Sequence, residues 1–148
     1  MRGKIRHLGI SLAAALVLYG TPTLAQSIGT IKNVSAGDAE IIRDGETLRV
    51  ATGFKVMEGD IIVTGPGMRV GVTLDDDTRM AVGPNSRIII SRYRFDRARR
   101  TGESVTRVDR GVLSVDSGAL AKTGNMRVQT PTATLGVRGT RFVVEVQP

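Results

Sequence analysis

The chain has 148 residues, with 21 Lys+Arg against 14 Asp+Glu, a single His and no Cys. Without Cys there is no disulfide framework, thiol nucleophile or thiolate metal site. The one histidine is His7; once the chain is cut beyond it, Ser-His-Asp catalysis and His-based zinc sites are excluded, which leaves an enzyme only carboxylate or lysine chemistry.

Residues 1–25 have the three parts of a secretory signal. Arg2, Lys4 and Arg6 make a basic start, Leu8 to Tyr19 is apolar, and Gly20 to Ala25 is small and polar. Pro22 breaks the helix, and Thr23-Leu24-Ala25 offers a cleavage site before Gln26. The apolar stretch is shorter than the roughly 20 residues a spanning helix needs. The expectation is a cleaved signal peptide over 1–25 and one domain over 26–148, periplasmic or secreted from a bacterium, without stable membrane insertion. Removing the three leader cations leaves 18 basic against 14 acidic side chains, a mild excess that calls for no nucleic acid. Phe54, Tyr93, Phe95 and Phe142 are too few to build a sugar-stacking cleft or a single-strand nucleic-acid platform.

From Ile41 onward the pattern is short β-branched runs separated by turn signals. Ile41-Ile42 runs into Asp44-Gly45, a favoured hairpin dipeptide, and then Glu46 to Val50. Gly59-Asp60 precedes Ile61-Ile62-Val63, and Gly65-Pro66-Gly67 leads to Val70, Val72 and Leu74, whose alternation puts one strand face in a core. Asp75 to Thr78 reads as a turn, followed by Met80 and Val82, then Gly83-Pro84-Asn85-Ser86 and Ile88-Ile89-Ile90. Later strands are predicted at Val105 to Val108, Gly111 to Val115, Met126 to Gln129 and Phe142 to Val146. Outside the leader no stretch carries a sustained 3.6-residue apolar period, so the fold class is all-β. Period alone does not separate sandwich, barrel and β-solenoid; the irregular spacing argues against a regular β-helix, and the expectation is an irregular β-solenoid- or β-roll-like domain of short strands.

Two charge clusters stand out. Asp75-Asp76-Asp77 reads as a solvated acidic turn; three contiguous Asp poorly match the spaced oxygen ligands of a calcium loop. The run Arg92 to Arg100 carries Arg92, Arg94, Arg97, Arg99 and Arg100 against Asp96 alone. With the strand continuing from Ile90, Tyr93 and Phe95 face the core and Arg92 and Arg94 face out, while Arg97, Arg99 and Arg100 fall in a loop. The five arginines form either a solvated face or a contact for an anionic partner.

Glu58-Gly59-Asp60 through Thr64-Gly65-Pro66-Gly67 resembles the GD-x-I-x-T-G element of the FecR domain family. Leu74 to Thr78, Gly83 to Ser86, Arg110-Gly111-Val112 and Thr130-Pro131-Thr132-Ala133-Thr134 through Val137-Arg138-Gly139-Thr140-Arg141-Phe142 resemble its later blocks, in order, over roughly residues 35–147. Asp77 stands where the family usually has Gly, a position an Asp tolerates because its short polar side chain permits left-handed backbone angles. The resemblance implies a periplasmic, non-enzymatic, solenoid-like β domain, which in the namesake proteins belongs to a transmembrane regulator sensing iron-siderophore uptake and controlling a sigma factor. This sequence shows no anti-sigma segment ahead of the apolar stretch, no spanning helix and no further domain after Pro148, so the expectation is a free module that signals through a partner.

Within the family run, Gly136 and Gly139 are expected at tight bends or close strand contacts and Pro131 at a strand start or corner; Gly59 and Asp60 of the first block are expected to be structural family-motif positions. Arg138 is expected to project inward and hydrogen-bond turn carbonyls; the rival reading makes Arg138 and Arg141 an anion or partner contact. Thr130, Thr140 and Phe142 complete the run as structural positions. The functional expectation is an exported interaction or sensing module working through an envelope protein at a β edge or the arginine patch, with no cofactor. The second reading is a binding module for an anionic cell-envelope polysaccharide or lipid headgroup. A carboxylate-dependent enzyme such as a glycosidase lacks a second carboxylate across a cleft from the Asp75–Asp77 turn.

Overall fold

The structure, a computed structural model, describes residues 26–35, 39–139 and 141–147; the expected signal peptide and Thr140 lie outside the described residues. Twelve strands form one sheet: β1 Ser27–Val34, β2 Ala39–Arg43, β3 Glu46–Arg49, β4 Lys55–Met57, β5 Ile61–Thr64, β6 Val70–Leu74, β7 Arg79–Val82, β8 Arg87–Asp96, β9 Thr101–Asp116, β10 Met126–Gln129, β11 Thr134–Val137 and β12 Arg141–Val146. The all-β expectation holds, with one addition. A single helical turn, α1 Ala119–Lys122, follows β9, too short to leave an amphipathic period in the sequence.

The strand order β3-β2-β5-β8-β9-β7-β6-β1-β4 is symmetric about β9. On its two halves stand β8 and β7, then β5 and β6, then β2 and β1, then β3 and β4. Each of these pairs is consecutive in the chain, so each is one long ribbon bent in the middle, and β9 is the ribbon that bends without breaking its ladder. Its first half pairs with β8 and its second half with β7. The curl brings the inward residues of the two halves together: Ile41, Ile62, Ile88, Ile90 and Val108 from one side, and Ile31, Val72, Val82 and Leu113 from the other, all essentially without solvent contact. Burying each such side chain contributes about 1.5–3 kcal/mol, the largest favourable term available to this fold. The alternating burial of β6 and β7 matches the alternation read in the sequence.

The bends fall on the short motif blocks. At the β5/β6 bend lies Gly65-Pro66-Gly67, at the β7/β8 bend Gly83 to Ser86, and at the β9 bend Gly111. A run of hydrogen bonds stitches the three together. Thr64 Oγ1 donates to the Gly83 carbonyl (2.6 Å) and accepts from the Ser86 amide (3.0 Å). Ser86 Oγ accepts from the Val112 amide (2.9 Å), and the Gly83 amide donates to the Val112 carbonyl (2.8 Å). Gly111 has φ of +87°, and a Cβ there would overlap Ser86. No L side chain satisfies both conditions.

On the far side of β9, β10 pairs in parallel with its first half and β12 antiparallel with its second. Then β11 folds back on β10 through the Thr130–Ala133 turn, where the Thr130 amide donates to the Ala133 carbonyl (2.8 Å) and Pro131 sits exposed, a corner as expected. The glycines of this run behave otherwise. A Cβ at Gly136 or Gly139 would meet no atom within 4 Å, so neither marks a close contact. They lie where the chain has left the stacked ribbons and little packs over it.

Gly111→Ala should therefore cost about 2–4 kcal/mol, from left-handed strain together with overpacking against Ser86. Gly136→Ala should stay within about 0.5 kcal/mol, as open surface positions do. Urea denaturation of a chain beginning at Gln26 measures both, and equal midpoints for the two variants would refute the assignment of the bends.

Candidate functional site

The acidic turn is the first place where structure corrects the sequence reading. Asp75 is half-buried and Asp77 exposed with φ of +68°, the left-handed angle its missing glycine requires. Asp76, however, is only 1% exposed. Its Oδ1 accepts from the Tyr93 hydroxyl (3.1 Å) and the Thr78 amide (3.2 Å); its Oδ2 accepts from Thr78 Oγ1 (2.8 Å) and the Leu120 amide (3.1 Å). The Asp76 amide donates to the Tyr93 hydroxyl oxygen (2.8 Å), and its carbonyl accepts from the Ala119 amide (2.9 Å). Four donors on one carboxylate satisfy its burial, and together they clamp α1 and the end of β8 to the β6/β7 turn. This is a structural anchor, not a solvated turn. Among the described residues no group of three His, Cys, Asp or Glu side chains is arranged to hold a metal ion.

Tyr93 faces the core and Phe95 is half-buried against it, as the alternation predicts. Burial, with the Asp76 carboxylate beside it, pushes the Tyr93 phenol well above its ordinary value. The Tyr93 amide donates to Glu58 Oε2 (2.8 Å), tying β8 to the turn before β5. In that turn Gly59 takes φ of +89° and Asp60 is fully buried, accepting from Arg43 Nε (2.8 Å), Arg43 Nη2 (2.8 Å) and the Met57 amide (2.8 Å). The hydrogen bond to Asp60 raises the Arg43 pKa, and the guanidinium also lies over the Phe54 ring, 5.3 Å from its centroid. Gly59 and Asp60 thus hold this turn through a left-handed backbone angle and a buried ion pair.

The five arginines do not act as one patch. Arg92 pairs with Glu103 (3.5 Å), Arg97 with Asp75 (3.1 Å) and Arg99 with Asp96 (2.9 Å). The Arg99 amide and guanidinium hold Asp96 below its usual carboxylate range, and Arg127 together with Arg92 does the same for Glu103. Only Arg94 and Arg100 make no ion pair among the described residues. Arg97 and Arg100 line a hollow of about 410 Å³ with Lys32, but Asp75 and Asp77 share it, so its charge is mixed.

Arg138 is exposed, against the expected inward projection, and among the described residues it makes no hydrogen bond to a turn carbonyl. It follows β11, which pairs with β10 alone, so no packed layer exists for it to enter. Thr130 holds its turn and Phe142 packs half-buried on the core, while Arg141 lies exposed and paired with Asp116 (3.2 Å). Two large apolar side chains of these last strands are exposed: Leu135 on β11 at 44% and Val143 on β12 at 63%. The sequence reading missed β11, because Thr-Leu-Gly-Val carries too few apolar residues to show alternation.

Two outcomes test the Asp76 anchor. Asp76→Ala leaves several buried donors unsatisfied and should cost about 3 kcal/mol or more in a urea titration. Tyr93 is the only tyrosine beyond the leader, so tyrosinate absorbance reports it alone. Its folded pKa lies above the ordinary 10.0, so its contribution is complete below pH 10.0 and declines as pH rises further. Tyrosinate absorbance should stay absent above pH 10.0 until the fold itself melts; ionisation at 10.0 in the folded chain would refute the anchor.

Among the described residues no helix is long and apolar enough to cross a membrane. No curated protein and no solved structure matches the chain. Residues 60–148, more than half of the chain, match the family model described as FecR protein, beginning at the buried Asp60 and taking in the bends, the Asp76 anchor and the exposed C-terminal strands. The chain is a member of the FecR family.

Proposed function

We propose that the protein is an exported, non-enzymatic sensing module of the cell envelope, which acts by binding a protein partner along its C-terminal sheet edge. The observation that carries this reading is β11. It is a free edge strand without a single charged side chain, and Leu135 stands exposed upon it. Free edges are usually blunted by charge or proline, because they template pairing with another chain. The opposite edge follows that rule, with Glu46 and Arg49 on β3 and Lys55 on β4. A partner strand added to β11 would gain main-chain hydrogen bonds for affinity and the Leu135 side chain for specificity.

Export rests on the leader-like residues 1–25, and the absence of His and Cys after them supports a non-catalytic role. The bent ribbons support reading the domain as an irregular β-roll. The arginine run supports the second reading, a contact for an anionic envelope glycan or lipid headgroup, less well, since three of its five side chains are already paired within the chain.

Crosslinking in intact cells followed by purification tests the proposal. Leu135→Lys should leave the melting temperature unchanged and abolish capture of one specific envelope protein. Replacing Arg92, Arg94, Arg97, Arg99 and Arg100 by Gln should leave that capture intact. The reverse pattern would transfer the partner site to the arginine run and defeat the edge reading.

A further inference from the structure

The outward face of the sheet's second half carries a basic groove that no sequence motif marks. Strand alternation sends Gly71 and Thr73 of β6, Arg79 and Ala81 of β7, Ser114 and Asp116 of β9, and Arg141 and Val143 of β12 outward, while their neighbours fill the core. The ladder sets them in rows. Gly71, Ala81, Ser114 and Val143 lie opposite one another across four strands, and Thr73, Arg79, Asp116 and Arg141 form the next row. A register shift between Ile31 and Asn33 of β1 leaves both Lys32 and Asn33 exposed, and both line the groove.

The result is a cavity of about 670 Å³ with small side chains on its floor and four cations around it: Lys32, Arg69, Arg79 and Arg141. Asp116 is the one carboxylate lining it; it pairs with Arg141, and Arg79 stands opposite it in the ladder without an ion pair. Among the described residues Lys32, Arg69 and Arg79 make no ion pair. This distinguishes the groove from the arginine run, whose charges are mostly matched. It crosses the strands from β1 to β12, about 19 Å at the usual strand spacing.

We infer that this groove binds a linear acidic polysaccharide, its carboxylates on the four cations and its hydroxyls on Asn33, Thr73 and Ser114. Three features select that ligand. The unpaired cations call for an anion, and their spread over several strands calls for an extended one. Among the described residues β1, β6, β7 and β9 are each paired on both sides, so the floor between them offers no main-chain ladder to a peptide, and only the outer edge of β12 is open. The lining also has no aromatic ring, so a neutral glycan would find no stacking surface. The inference is independent of the β11 edge, from which the groove differs in residues and in chemistry.

The test is titration of the chain from Gln26 with polygalacturonate at about 0.15 M ionic strength, where the screening length is about 8 Å and diffuse attraction is weak. The double variant Lys32→Gln, Arg79→Gln should lose affinity by about tenfold or more at an unchanged melting temperature. Ala81→Phe alters no charge but fills the exposed floor, and should weaken binding by a similar factor. Replacing Arg97, Arg99 and Arg100 by Gln should leave binding as it was. No binding by the parent chain would overturn the inference, as would loss that follows only the arginine loop. Indifference to Ala81→Phe would mean charge without a groove, and equal affinity for polyglutamate would mean an acidic protein surface instead; either also overturns it.

Discussion

The curl of the sheet depends on the close approach of Gly111 to Ser86. Three neighbouring ribbons turn at the same level, and a sheet turning there must supply hydrogen-bond partners for backbone groups that the ladder no longer serves. Thr64 Oγ1 bridges one gap and Ser86 Oγ the next. For Ser86 to reach the Val112 amide, the β9 backbone must lie against it, where no Cβ fits. Glycine is thus dictated by a neighbour two strands' worth of chain away. The bends of β5/β6, β7/β8 and β9 are one constraint, which is why their motifs occur together and in order.

Away from the bends, the fold closes on a second polar centre with the same logic. Asp76 satisfies amides from α1 and from its own turn, and the Tyr93 hydroxyl completes the shell. Such a centre adds little net stability when complete, and costs several kcal/mol when one member is removed. Its value is positional. Gly118 passes so close to the Asp76 carbonyl that a Cβ would overlap it, which fixes where the chain leaves β9 and therefore where β10 can start. The parallel β9–β10 pairing, unlike every other pairing in the sheet, follows from that crossover through α1.

Much of this was legible in the residues. Asp44-Gly45 turned where an Asp-Gly hairpin should, and both residues take the positive φ the turn demands. The alternation of Val70, Val72 and Leu74 named the buried face, and Tyr93 and Phe95 turned inward as their spacing required. What stayed hidden was long-range. Three contiguous Asp look alike in sequence, yet one is buried by donors 17 and 44 residues away. The arginine run looked unopposed because Glu103 and Asp75, which neutralise part of it, come from elsewhere in the chain. Glycine's backbone freedom and arginine's five donors point to structural roles for Gly136 and Arg138, but neither property is used where no other strand lies over the residue.

That last difference divides the family run from the blocks before it. A residue kept for the fold should be buried, bonded or in a backbone conformation that others cannot adopt. Thr64, Ser86, Gly111 and Asp76 each meet at least one of these conditions. Leu135, Gly136 and Arg138 meet none: they are exposed, a side chain at Gly136 would meet open space, and Arg138 makes no bond to its turn. An exposed leucine on an uncharged free edge costs solubility and returns nothing to the folded monomer. The earlier blocks are thus accounted for by packing, hydrogen bonds and backbone angles within the fold, whereas the last strands carry side chains that the fold itself does not use.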